Sequence, residues 1–174
     1  MITKQFVNRS QRKTYDPLRL EALSWEEAET DRMACAILAC NYSRIHGDTR
    51  FTQALIQMDC VAVCFVDDDI WVASNSMKLE PEDIDEAIGT DYCGRNVYIV
   101  KNGTGCMHAE MQLIKELSES SLLDKVTYIG VSKPCCKYCK QVLDSCQIDY
   151  LHYHTDAVLH WEDPEECKQS KIGS

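Results

Sequence analysis

Two short stretches hold the side chains best suited to chemistry. One is His108-Ala109-Glu110, at the start of a helical spacing. The other is Pro134-Cys135-Cys136-Lys137-Tyr138-Cys139, between an apolar run and a second helical pattern. Cys136 and Cys139 are three positions apart, so on a helix their sulfurs share a face. Thiolates are favoured at a helix N-terminus, where unpaired N–H groups carry partial positive charge. His108 lies 28 positions before Cys136. That leaves room for one helix, a turn and one strand, so the chain can return to the same end of a sheet. One imidazole and two thiolates suit zinc. Three protein ligands leave a fourth position open, as a catalytic zinc requires and a structural zinc avoids. Zinc lowers the pKa of water to about 7. Glu110, two residues past His108, is placed to accept that proton and pass it on.

Other readings compete. His-x-Glu at a helix start can simply cap it. A lone Cys-x-x-Cys can be a redox pair or half of a structural zinc site. Cys136, Cys139 and His152 have the spacing of the first part of a zinc finger. His152 and His154 are only two apart, however, and on a strand would share a face. That reading makes the chain a structural zinc-binding interaction module, and it leaves His-Ala-Glu unexplained. Cys135 is the alternative partner to Cys136, because Pro134 directly precedes it. H-x-E combined with P-C-x-x-C is the pattern of zinc nucleobase deaminases.

The elements that must bring these groups together can be read from periodicity. Ser24-Trp25-Glu26-Glu27 forms a capping box, and the spacing of Met33, Ile37, Leu38 and Ile45 predicts a helix over about 25–45. Phe51, Leu55 and Met58 suggest a second, short one. The apolar runs at 60–66 and 70–75, joined by Asp67–Asp69, predict a hairpin. Residues 76–95 are polar and acidic and read as an insertion with room for a short helix. Residues 76–107 are a candidate lid. Residues 96–100 predict a strand, about 108–119 a helix and 125–132 a buried strand. Pro134 suits the first turn of the helix that carries Cys139. Residues 148–154 alternate like a strand.

Composition narrows the partners. The 174 residues are 45% hydrophobic and 26% charged, with a net charge of −10. Residues 1–20 carry five basic side chains and one acidic, whereas 61–100 carry two and nine. A long nucleic-acid groove would be basic, so a small substrate, a short single strand or a protein partner fits better. No apolar run reaches 18 residues, which argues against a membrane span. Eleven cysteines without an apolar leader are expected to be reduced thiols in a cytoplasmic setting. Delivery into another cell is compatible with that setting. His46 and His160 read as surface residues, and Trp25, Trp71 and Trp161 as packing. Tyr138 is as apt to line a pocket as not.

His-Ala-Glu followed by Ser-Lys-Pro-Cys-Cys-Lys-Tyr-Cys resembles the cytidine deaminase-like superfamily over roughly residues 59–154. Residues 1–58 are then an N-terminal helical extension and 155–174 a C-terminal tail. Ser132-Lys133 before the cysteines is closer to divergent bacterial and fungal deaminases, including effector and toxin types. The resemblance implies a three-layer α/β fold: a mixed sheet of about five strands, helices on both faces, and the N-terminal helices packed on it. It implies a zinc-dependent hydrolytic deaminase, with zinc on His108, Cys136 and Cys139 and with Glu110 as the catalytic proton carrier. Substrate contacts fall to Asn75, Ala109, Ser132 and Pro134. The substrate would be an amino-bearing nucleobase, cytosine-type favoured, presented as nucleoside, nucleotide or single-stranded nucleic acid. Self-association or a protein partner is compatible with it.

Overall fold

The computed structural model describes residues 25–46, 59–76, 78–102, 107–158 and 160–164. The short helix expected from Phe51 to Met58, the basic first twenty residues and the Ser24 cap lie outside them. The elements are helix α1 (Trp25–His46), strands β1 (Val61–Val66) and β2 (Asp69–Ser74), helix α2 (Pro81–Ile88), strand β3 (Val97–Val100), helix α3 (Ala109–Glu119), strand β4 (Gly130–Val131) and helix α4 (Lys137–Ser145). None of the described helices is long and apolar enough to cross a membrane.

β1 and β2 form the expected antiparallel hairpin, with Val63 opposite Val72. β3 adds parallel to β2, and β4 adds antiparallel to β1, giving the order β3-β2-β1-β4. Strand residues alternate between faces, and both faces are apolar here. Val61, Val63, Ile70 and Val72 join Met33, Ile37 and Leu38 of α1 and Ile84 and Ile88 of α2 in one core. Ala62, Cys64, Trp71 and Ala73 join Met111, Leu113 and Leu117 of α3 and Cys139 and Leu143 of α4 in the other. Helices therefore cover both faces, as expected. The helix foreseen inside the acidic insertion exists, but it packs on the face opposite α3 and α4.

α1 meets β4 at a close approach that depends on a glycine. A Cβ on Gly130 would stand 2.3 Å from the backbone carbon and the hydroxyl of Thr30. Beside it, the buried Asp31 carboxylate accepts from the Val131 N–H at 3.0 Å and from the Tyr128 hydroxyl. The strand leading to the cysteines is pinned from behind.

The sheet has four strands, not about five. The expected strand at 125–132 shortens to Gly130–Val131. The expected strand at 148–154 survives only as isolated parallel bridges, Tyr128 with Asp149 and Cys135 with Tyr153. Asp149 exchanges hydrogen bonds with Thr127 and Ile129, and Cys135 with His152 and His154. Between those points the chain turns through Ser132-Lys133-Pro134. Proline has no N–H to give a ladder, and the turn leads the chain from β4 into the start of α4. Ile148 and Tyr150 are buried and Asp149 is exposed as the alternation predicts, but Leu151 is buried as well, so the alternation reported burial in part and the ladder incorrectly. Nor does Pro134 enter the helix: Cys136 is the N-cap and Lys137 the first helical residue.

Candidate metal site

His108 and Cys136 occupy equivalent places, each the N-cap of the helix that follows, α3 and α4 respectively. Both caps have extended backbone, φ −63° and −73°, and both helices begin at one end of the sheet. Cys136 uses its sulfur as a cap: Sγ accepts from the Cys139 N–H at 3.4 Å. One turn later Cys139 presents its own sulfur on the same side. His108 Nδ1 lies 3.5 Å from Cys136 Sγ and 3.4 Å from Cys139 Sγ. The three ligand atoms lie within 4.8 Å of one another, and among the described residues they are the one group of this kind. Cys135, His152 and His154 stand outside it.

The donor set fits a metal ion. His108 Nε2 lies 2.9 Å from the His160 carbonyl oxygen. A proton on Nε2 satisfies that carbonyl and leaves Nδ1 bare toward the sulfurs, the usual way a ligating histidine is oriented. Burial lowers the His108 pKa, but Cys136 and the nearby Glu110 charge outweigh it, and the net direction is up. The two thiols share a proton. The hydrogen bond from Cys139, against burial and with help from His108 and the Cys139 N–H, holds Cys136 down as the thiolate. Burial and that same bond push Cys139 up. A thiolate is thus already favoured next to His108, whose ring would give up its Nδ1 proton to a soft divalent ion.

Glu110 lies in the first turn of α3 and is 1% exposed. Its Oε2 is buried with no hydrogen-bond partner among the described residues. Burial raises its pKa, while the His108 charge and a backbone N–H pull it down less strongly. The Cys135 thiol, fully buried, faces this carboxyl group and is itself pushed well up by burial and then by the Glu110 charge. Cys135 is thus a neutral wall for Glu110.

The other sequence-predicted residues are buried or bonded into the frame around the group. Ala109 is fully buried between His108 and Glu110. Asn75 ends the hairpin, and its Oδ1 accepts from the Cys60 N–H at 2.7 Å. The Ser132 hydroxyl accepts from the Val61 N–H at 2.9 Å, so it ties β4 to β1. Pro134 is buried in the turn before the cysteines.

Three contacts were not foreseen. Gln112, fully buried, donates to the Ser74 and Met107 carbonyls, both at 3.0 Å, and so ties the Asn75 turn to the His108 turn. Trp161 donates its indole N–H toward Cys139 Sγ at 3.4 Å and packs on Tyr138 with ring centres 5.4 Å apart. His160 orients His108 through its carbonyl. Gln112 sits at helical spacing from His108, a signal available in the sequence but not used. Trp161 and His160 reach the site through an irregular segment, which periodicity cannot place.

A family model described as OTT_1508_deam-like deaminase matches residues 107–165. The match takes in both halves of the metal group, Glu110, and the segment holding His160 and Trp161. No curated protein and no solved structure matches the chain.

Proposed function

With that match supporting a place in the cytidine deaminase-like superfamily, we propose that the protein is a zinc-dependent hydrolytic deaminase of an amino-bearing nucleobase, cytosine-type favoured. The observation that carries it is a buried carboxylate with an unpartnered oxygen, two residues from the imidazole of a His-Cys-Cys group. A structural metal site has no use for such a carboxylate, and burying it costs free energy. His108, Cys136 and Cys139 would hold the zinc, which supplies Lewis acidity and lowers the pKa of water at the site.

Glu110 then carries protons. Its raised pKa matches the task, since a proton carrier works best with a pKa near the working pH. The carboxylate takes a proton from water and gives it to a ring nitrogen of the base. Water oxygen adds to the amine-bearing carbon, ammonia leaves, and an amidine becomes an amide. The neutral Cys135 and the apolar core behind Glu110 keep bulk water out. His160 and Trp161 hold His108 and Cys139 in place. Asn75, Ala109, Ser132 and Pro134 would border the base, and Gln112 ties the turn before Asn75 to the turn before His108. The acidic chain favours a nucleoside, a nucleotide or a short single strand over an extended duplex.

The test is a mass-spectrometric screen of nucleosides, nucleotides and single-stranded DNA and RNA for a gain of about one mass unit, the exchange of NH2 for OH. Wild-type protein with about one zinc per chain should convert one class. Glu110→Gln should keep the zinc and lose turnover, and Cys136→Ser should lose both. A zinc-loaded wild type that converts none of them would leave a structural metal module in its place.

A further inference from the structure

One stretch of chain touches the His-Cys-Cys group from outside both of its helices. The His154 N–H donates to the Cys135 carbonyl at 2.8 Å. Beyond it, residues 155–158 and 160–164 form no helix or strand, and 155–157 are exposed. The chain then returns to the two helix starts, and two neighbouring residues reach two of the three donors. The His160 carbonyl oxygen lies 2.9 Å from His108 Nε2, at the start of α3. The Trp161 indole N–H points at Cys139 Sγ, 3.4 Å away, in the first turn of α4. Tyr138 seats the indole, with ring centres 5.4 Å apart, and Lys137 Nζ lies 5.2 Å from the Tyr138 ring. Val158 and Trp161 also pack on the α3–α4 core.

The two contacts have opposite polarity, an acceptor on the imidazole and a donor on the sulfur. Each has the sign that a held cation favours. An imidazole that gives its Nδ1 lone pair to a metal ion becomes a stronger donor at Nε2. A sulfur that binds a metal ion does so as the thiolate, and a hydrogen bond to a charged acceptor is roughly twice as strong as one to a neutral acceptor. One ion in the group therefore strengthens both contacts at once, although they lie on different helices. Coupling of this kind is reciprocal: docking that is favoured by the ion must in turn favour the ion.

We propose that His160 and Trp161 form a clasp whose closure is coupled to metal occupancy, with Trp161 as the positioning residue that acts through Cys139. The held ion tightens the clasp, and the closed clasp tightens the hold on the ion. The indole N–H, not the bulk of the ring, carries the coupling. The clasp rests on the reading that His108, Cys136 and Cys139 hold a metal ion, and not on any reaction there. A metal-binding module without turnover would show it equally.

Trp161→Phe in the full chain tests it, because phenylalanine keeps a ring against Tyr138 and lacks the N–H. Zinc affinity, measured by competition with a chromophoric chelator, should fall about tenfold. In the cobalt(II)-loaded proteins the thiolate-to-metal charge-transfer band should move to longer wavelength in the variant, since a hydrogen bond to sulfur lowers the energy of its lone pairs. The urea midpoints of the metal-free proteins should agree. The wild-type chain supplies an independent measurement: of its three indole N–H signals, that of Trp161 should exchange with solvent about tenfold more slowly with zinc than with a chelator. Equal zinc affinity with an unmoved cobalt band would overturn the proposal and leave Trp161 as packing. So would indole exchange that is indifferent to zinc. Weakened zinc binding by the variant of a chain that deaminates nothing would support the clasp and end the deaminase reading. A wild type that takes up no zinc would end both.

Discussion

Asp83 and Glu110 form a natural pair for comparison. Each lies in the first turn of a helix, and each is 1% exposed. They sit on opposite faces of the same sheet. Asp83 is saturated with donors: Arg44 at 2.8 Å and 3.2 Å, Asn41 at 2.8 Å and the Glu80 N–H at 3.0 Å. Burial pushes its pKa up, but Arg44, Asn41 and the Glu80 N–H outweigh burial and hold it below the ordinary range. Glu110 has one unpartnered oxygen and a raised pKa. Asp31 is intermediate. Burial lifts it to about 7, against the pull of Tyr128 and Val131. The carboxylate on the α1–α2 face is given donors; the one on the α3–α4 face is left short of them, as the proton carrier proposed above would need to be.

Breaking the pair at Glu110 should have the largest effect. Glu110→Gln keeps the volume and removes the proton, so turnover should fall by about 10²–10⁴-fold, measured as ammonia release at unchanged zinc content. Next is Asp31. Its folded pKa of about 7 exceeds the ordinary aspartate value of 3.8, so the protonated form is favoured by folding. Its contribution is fully present below about pH 4 and is lost as the pH rises toward 7, by up to about 4 kcal/mol. Asp31→Asn should flatten denaturant-derived stability over that window; an unchanged slope would mean the carboxylate is better solvated than its burial indicates. Asp83 has the opposite sign. Its lowered pKa stabilises the fold above about pH 4 and is lost as the pH falls further, and Asp83→Ala should cost about 1 kcal/mol at pH 7 by leaving the Asn41 and Arg44 donors with the Lys78 carbonyl alone. The smallest effect sharpens the contrast. In metal-free protein, Glu110→Gln should raise stability by about 1 kcal/mol, as removing a costly functional charge does, read as a shift of the urea midpoint. If Asp83→Ala and Glu110→Gln both destabilised the chain, the two carboxylates would share one structural role.

Local order was legible wherever the chain follows a single period. The α1 helix, the hairpin and α3 appear within a residue or two of their expected places, and a short helix does lie inside the acidic insertion, because helical and strand spacings declare themselves over a few residues. His108 at the start of α3 and the Cys136–Cys139 pair at the start of α4 were also legible, since ligand types and spacing are local facts. The fifth strand was not. Ile148, Tyr150 and His152 are buried as an alternating strand predicts, but burial does not fix pairing, and the turn at Pro134 breaks the ladder that would have made them a strand.

The sequence by itself determined which residues can ligate a metal, which carboxylate stands beside them and which faces of each element are apolar. Only the tertiary structure decided that Trp161 and the His160 carbonyl close on the site, that Gln112 ties two turns together and that Glu110 keeps an unpartnered oxygen while Asp83 keeps none. Side-chain type and period are properties of neighbours along the chain. Hydrogen-bond supply at a buried carboxylate depends on segments as far apart as Asn41 and Asp83, which meet only when α1 and α2 pack side by side on one face of the sheet.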